Sequence, residues 1–431
     1  MVTKLIVLAV IVLGVVAIAQ LMRVYELSSK LRNKNEAEIS DGDNRLNANL
    51  MLIFMVALFA SFIWLMLNFG WTGRGESASV HGHDLDWLLN LNFIIIITVF
   101  FLTNTLLFVF AYKYVKKPGV KAFYYPHNNK LEMLWTVVPA CVLAVIIILG
   151  LKTWNDATSE AAPESIRVEL FSKQFDWTAR YSGNDNKLGK FDYKLTTDNN
   201  ELAILTTNTI DTAIRLMEEG PMGIHSIEAK LNDSHLMLAP KDRADMMKDL
   251  ARKERLIRML HQLKGRHDAK LDAMAWDDII QKDTLYLCKG KEYELNFRSK
   301  DVIHSAYLPN FRVQMNTVPG LTTRFKFVPD VTTKDMRVKK DDPEFDYVLM
   351  CNKICGGAHY KMKMMVVVLE EAEYMQWMDS KKTATFRDKY FASTVVESQE
   401  NPVMEEDVNA EGVEEIIEAV IEEVEEVVEG H

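Results

Sequence analysis

Apolar residues in this chain are concentrated in its first third. Four runs, at residues 2–22, 50–69, 91–115 and 134–152, are long enough or nearly so to cross about 30 Å of hydrocarbon as helices. After Trp154 the pattern changes. Residues 166–171 and 190–195 alternate apolar and polar positions, which predicts half-buried strands. Between about residues 206 and 281 the period becomes helical, and after Pro240 the apolar Met246, Leu250, Ile257, Leu260 and Leu263 recur at threes, fours and sevens up to Gly265. Alternation resumes at 284–288, 292–297, 323–328, 347–350 and 364–369, separated by turn-rich stretches such as Val318-Pro319-Gly320. The pattern predicts four transmembrane helices and then a small antiparallel sandwich or barrel interrupted by a helical insertion.

Charge orients the spans. The loop after the third run carries Lys116, Lys117, Lys121 and Lys130 against Glu132 alone, so the excess of basic residues places it in the cytoplasm. The fourth run then leads out, and the soluble part is expected on the outer side. Residues 70–90, with Arg74 against Glu76, Asp84 and Asp86, are expected outside as well, and the loop holding Arg23, Lys30, Arg32, Lys34 and Arg45 inside. Lys4, an apolar stretch and Ala17-Ile18-Ala19 also fit a cleavable signal peptide. Cleavage after Ala19 would leave three spans that end inside, against the lysine loop, so four retained spans with an outer N-terminus are expected. The expected divisions are 1–48 for an extra span and its loop, 49–155 for spans two to four, 160–380 for the soluble domain with its insertion at about 206–281, and 381–431 for an acidic tail.

The formal net charge of −10 changes little, because much of it lies after Pro402, where Glu and Asp recur without Lys or Arg. No basic stripe with interleaved aromatics occurs, which argues against a nucleic-acid partner. Within the tail Val413, Ile416, Ile417, Val420, Ile421, Val424, Val427 and Val428 recur at threes and fours, the stripe of an amphipathic helix. Repulsion among its close glutamates opposes that helix, so ordering is expected only against a partner.

Four cysteines, Cys141, Cys288, Cys351 and Cys355, exclude a disulfide-rich framework. Cys141 lies in an apolar span and Cys288 in a strand pattern, where each packs as a small hydrophobe. No Cys-x-x-Cys-His is present, which excludes a conventional c-type haem. Residues 350–362, Met-Cys-Asn-Lys-Ile-Cys-Gly-Gly-Ala-His-Tyr-Lys-Met, offer two thiolates, an imidazole and a thioether within one loop. That soft set suits copper used for electron transfer, whereas zinc seldom recruits methionine. Gly356 and Gly357 let the backbone turn tightly enough to bring Cys355 and His359 together. Taken alone, the loop also fits a disulfide, a Cys2His2 zinc site, or ordinary packing of His359 and Met362. His304, in residues 301–309 at the end of a strand run, supplies a second imidazole from a neighbouring strand. Two cysteines, two histidines and a methionine can hold two coppers, each thiolate bridging both.

Residues 301–320, 351–362 and 131–139, the last reading Leu-Glu-Met-Leu-Trp-Thr-Val-Val-Pro, resemble subunit II of haem-copper cytochrome c oxidases in family order. The resemblance covers roughly residues 87–205 and 284–378, leaving out the first two spans, the insertion and the tail. It implies an all-β cupredoxin-like domain holding the dinuclear CuA centre. Cys351 and Cys355 would be bridging thiolates, His304 and His359 one imidazole per copper, Met362 a weak ligand, and the position of Lys353 a backbone carbonyl ligand. It also implies oxidase subunit I and other oxidase subunits, a c-type cytochrome donor and membrane lipid as partners, in a bacterial cell membrane with the copper domain outside.

The chain departs from the family in places. The usual residue at Lys353 is a glutamate that also binds magnesium at the contact with subunit I; Lys353 cannot, so magnesium is not implied unless other groups supply its ligands. In Gln174-Phe175-Asp176-Trp177 the family's electron-accepting tryptophan falls on Phe175, while Trp177 is retained. Both rings also fit simple packing of the sandwich. Glu132 matches a carboxylate near the cytoplasmic mouth of a proton path, and equally fits a solvated interfacial acid. His81 and His83, without further ligands nearby, are expected to be solvated. Competing functions are a CuA domain of another reductase, such as nitrous oxide reductase, and a structural or copper-carrying membrane protein.

Overall fold

A computed structural model of the chain describes residues 2–31, 40–70 and 75–392. Of the stretch expected as an acidic tail, residues 381–392 pack onto the soluble domain through Phe386 and Tyr390, while residues 393–431 with the apolar stripe, together with Arg32, Lys34 and Arg74, lie outside the described residues. The described residues form two bodies, one made of helices and the other of residues 78–82 and 156–392.

The first body contains α1 (Val2–Leu31), α2 (Asp41–Phe69), α3 (Val80–Lys113) and α4 (Asn129–Thr158). All four are long and apolar enough to cross a membrane. Each outruns its apolar stretch because polar turns at its ends continue the helix. Ser40 caps α2 by accepting from Asp43 N at 3.2 Å, and Asp41 and Asp43 favour the positive end of the helix dipole. Phe59 and Phe62 of α2 interleave with Phe100 and Phe101 of α3 at ring separations of 4.6–5.9 Å.

In the second body the strands are β1 (Ile166–Lys173), β2 (Asp176–Tyr181), β3 (Ile279–Lys282), β4 (Thr284–Cys288), β5 (Tyr293–Ser299), β6 (His304–Leu308), β7 (Val313–Thr317), β8 (Thr323–Phe327), β9 (Tyr347–Cys351) and β10 (Lys363–Leu369). They form two sheets, ordered β3-β2-β1-β5-β8 and β4-β10-β9-β6-β7. Val168, Leu170, Trp177, Leu295, Phe297, Leu349 and Val366 are buried in a common core, at alternate positions of their strands. This is the all-β, cupredoxin-like domain with a helical insertion that the sequence predicts. It is not purely antiparallel, however: β1 runs parallel to β5 and β10 to β4. Parallel neighbours require long crossover connections, and the insertion lies within one of them.

Local sequence patterns misled in three places. Residues 190–195 form no strand, because the Asp192 carboxylate accepts from Lys194 N at 3.1 Å and folds Tyr193–Leu195 into a 3-10 turn. The insertion, α5 (Thr207–Glu219), α6 (Ile224–Asn232), α7 (Pro240–Arg266) and the short α8 (Ala273–Trp276), ends earlier than expected. Residues 279–282 instead pair with β2, Thr178 opposite Lys282. His81 is not solvated either: residues 78–82 hydrogen-bond onto the sandwich, through Ala78 N to Asn310 O at 2.8 Å and Val80 N to Val328 O at 3.0 Å. This sets the His81 ring edge-on to Phe325 at 5.2 Å, while His83 is exposed.

Candidate metal centre

The loop that follows β9 starts at Cys351 and is closed at its base by Cys351 N donating to Met362 O at 3.1 Å. Lys363 pairs with Met350 across the two strands it connects. Strand β6 lies on the other side of β9, with Ala306 opposite Cys351. Two residues along, His304 opens β6 rather than ending a strand, because residues 300–303 form the turn out of β5. The sheet register thus delivers the second imidazole to the loop.

The candidate ligands converge. Cys351 Sγ lies 4.0 Å from Cys355 Sγ, 3.9 Å from His304 Nδ1 and 3.1 Å from the Lys353 carbonyl oxygen. Cys355 Sγ lies 3.5 Å from His359 Nδ1 and 3.8 Å from Met362 Sδ. The ligand atoms of His304, Cys351 and Cys355 all fall within 4.8 Å of one another. Both cysteines are free thiols. A metal bonded to both sulfurs at about 2.3 Å each can span their 4.0 Å gap. One imidazole stands by each sulfur, so the donor set fits two soft metals sharing both thiolates. His304, Cys355 and Met362 are buried, Cys351 and His359 half-buried, and the Lys353 side chain exposed.

Burial first, and then the neighbouring Cys351 sulfur, pushes the Cys355 thiol up to about 11. A metal cation removes that cost by pairing with both thiolates.

Two supporting residues escaped the sequence reading. Asp301 Oδ1 lies 2.9 Å from His304 Nε2, and its Oδ2 accepts from Gln174 N at 2.7 Å. Burial alone would raise the Asp301 carboxyl, but the hydrogen bonds from Gln174, His304 and Val302 hold it below its usual range. The Gln174 side chain donates to the Cys355 carbonyl. Asp301 stands three residues before His304 and Gln174 next to Phe175, but only the fold joins them.

Gly356 adopts φ +142°, and a Cβ there would meet Gln174 Nε2 and the Phe175 ring at 2.9 Å. Gly357 has no such neighbour within 4 Å, so the tight approach depends on Gly356 alone. The half-buried Phe175 therefore sits against the loop. Trp177 is fully buried, its ring centroid 6.3 Å from that of His304, so it packs beneath the centre and offers no surface to a donor. Glu132 belongs to the helical body, where its carboxylate accepts from Asn128 N at 3.4 Å and Asn128 in turn caps Lys130 N and Leu131 N.

Residues 70–153 match the family model of the cytochrome c oxidase subunit II transmembrane domain. This chain is related to subunit II of cytochrome c oxidases. The alternative cytochrome c oxidase subunit 2 of Bradyrhizobium diazoefficiens is 26% identical over 335 residues, which cover 77% of this chain and 91% of that protein. Subunit 2 of Cereibacter sphaeroides is 20% identical over 319 residues, 74% and 82% of the two chains. Among solved structures, the periplasmic domain of subunit II of the Bradyrhizobium japonicum cytochrome oxidase matches 52% of this chain and 99% of its own, at 14% identity and a TM-score of 0.25. The subunit II family model takes in most of α3 and α4 and leaves α1 and α2 outside it. With its four membrane-capable helices, this subunit II relative is a multi-pass membrane protein.

Proposed function

We propose that this chain is the electron-accepting subunit of a haem-copper terminal oxidase. It takes electrons singly from a c-type cytochrome through dinuclear CuA and passes them to the haem of subunit I, where oxygen is reduced to water. One observation carries this reading: two thiols, two imidazole Nδ1 atoms, a thioether and the Lys353 carbonyl converge around one loop. Bound copper would supply one-electron chemistry. Cys351 and Cys355 would bridge the two metals, His304 and His359 would each hold one, and Met362 and the Lys353 carbonyl would complete the set.

The chain's own residues prepare that site. Asp301 fixes the His304 tautomer by holding Nε2, leaving the Nδ1 lone pair toward the sulfurs. Gln174 anchors the Cys355 carbonyl and so limits movement of the loop. Burial of His304, Cys355 and Met362 keeps water from the inner side. Phe175, half-buried against the loop, would receive the electron from a docked donor, and Trp177 supports His304 from within. The copper domain stands outside a bacterial cell membrane, and Glu132 lies at the cytoplasmic mouth of a proton path into subunit I. Lys353 offers no carboxylate, so magnesium at the subunit contact needs ligands from elsewhere.

Copper loading of the full chain in detergent tests the reading. Two coppers per chain, a purple oxidised form and a mixed-valence paramagnetic signal are expected. A single copper with a mononuclear signal would overturn the dinuclear assignment.

A further inference from the structure

The outer face of the sheet β3-β2-β1-β5-β8 carries a second polar constellation that electron transfer does not use. Arg167 and Glu169 on β1, Arg180 on β2, Arg298 on β5 and Lys187 and Lys190 on a neighbouring loop line a cavity of about 350 Å³. Its floor is a buried ion cluster. Glu169, only 2% exposed, accepts from Arg180 Nη2 and, at 2.7 Å, from Arg298 Nε, so both carboxylate oxygens are engaged. Arg180 Nη1 donates to Asp278 Oδ2 and to the Gly189 carbonyl, each at 3.0 Å. Arg180 is itself 1% exposed, and its Nε has no hydrogen-bond partner among the described residues.

The rim adds cations without adding acids. Arg167 donates to the Asn186 carbonyl at 3.1 Å. Neither it nor Lys187 nor Lys190 forms an ion pair among the described residues. Burial pushes the Asp278 carboxyl up, opposed by Arg180 beside it. Two buried guanidiniums thus face two buried carboxylates at the floor, and Arg167, Lys187 and Lys190 add three cations at the rim of a half-enclosed space. Among the described residues the rim cations have no acid partner beside them, so an anion seated among them would meet guanidinium and ammonium donors at once.

We propose that this cavity binds a phosphate-bearing anion, held between the Arg167 guanidinium and the two rim lysines above the Arg180 and Arg298 floor. Guanidinium forks match phosphate oxygens, and the volume lies at the small end of the range for ligand sites, about 300–1,000 Å³. The phosphate can belong to a soluble ester or to a lipid headgroup.

Calorimetric titration of the full chain in neutral detergent with sodium pyrophosphate tests this. One saturable site is expected, weakened by at least about tenfold in the Lys187→Glu, Lys190→Glu double variant. Both side chains are exposed, so the circular dichroism and the copper spectrum of that variant should match the parent. Repeating the titration with micelles containing phosphatidylglycerol, against phosphatidylcholine, separates the sources. Competition by the anionic lipid alone assigns the site to a headgroup, and undiminished binding assigns it to a soluble phosphate. Heat reproduced by sodium chloride at matched ionic strength, no saturable site in the parent, or equal binding by the double variant would each overturn the proposal.

Discussion

Asp301 Oδ1 lies 2.9 Å from His304 Nε2, and the opposite nitrogen of that ring lies 3.9 Å from Cys351 Sγ. One carboxylate therefore sets which nitrogen faces the candidate metals. Asp301→Ala should lower copper affinity by about 10–100-fold, the usual effect of losing such an outer partner, while the mixed-valence signal survives at saturating copper. Competition with a copper chelator measures the affinity. Unchanged affinity would show that His304 is oriented by packing alone, against Trp177.

Cys351 and Cys355 are equivalent in the bridging assignment, since each would contact both metals. Cys351→Ser should abolish the mixed-valence signal and leave at most one copper per chain, read by paramagnetic resonance and metal analysis. A variant that kept the signal would refute the bridge.

Lys353 places its carbonyl 3.1 Å from Cys351 Sγ and its side chain in solvent. Lys353→Ala should leave copper content and the optical spectrum unchanged. Loss of copper would reveal a side-chain role that the geometry lacks.

Cys355, raised to about 11 by burial and by Cys351, is protonated in the metal-free protein at neutral pH. Copper must displace that proton, so apparent affinity should rise with pH, on the order of tenfold per unit for each proton released, until the thiol itself ionises. Titrations in pH-matched chelator buffers between about pH 6 and 8 should show the slope. A flat profile would mean that the thiolate exists before metal binds.

Gly356→Ala would force a Cβ to within 2.9 Å of the Phe175 ring and Gln174 Nε2, at a φ of +142° that side chains rarely adopt. The loop should shift, broadening the copper signal and lowering the melting temperature. Gly357→Ala, with nothing within 4 Å, is the control and should do neither.

The amino-acid sequence by itself determined the features that depend on neighbours along the chain. The spans are legible because hydrocarbon thickness sets the length of an apolar run. The six strands starting at 166, 284, 293, 323, 347 and 363 are legible because one face meets the core and the other meets water. Four of the six candidate ligands, Cys351, Cys355, His359 and Met362, are legible because they fall in one 12-residue stretch, where soft donors at short spacing already specify a class of metal. Tertiary structure alone decided what depends on partners distant in sequence. Strand β6 owes its position to pairing with β9, and that register brings His304 to Cys351. The buried place of Trp177 follows from the sandwich core, and Asp301 and Gln174 meet only because the parallel strands β1 and β5 end side by side, Ser172 opposite Ser299. At residues 190–195 the Asp192 turn overrode alternation, because a side-chain hydrogen bond to the next residues' backbone competes with pairing to a strand. The cationic cavity gathers residues from 167 to 298, and no local pattern signals that five positive charges will share one space.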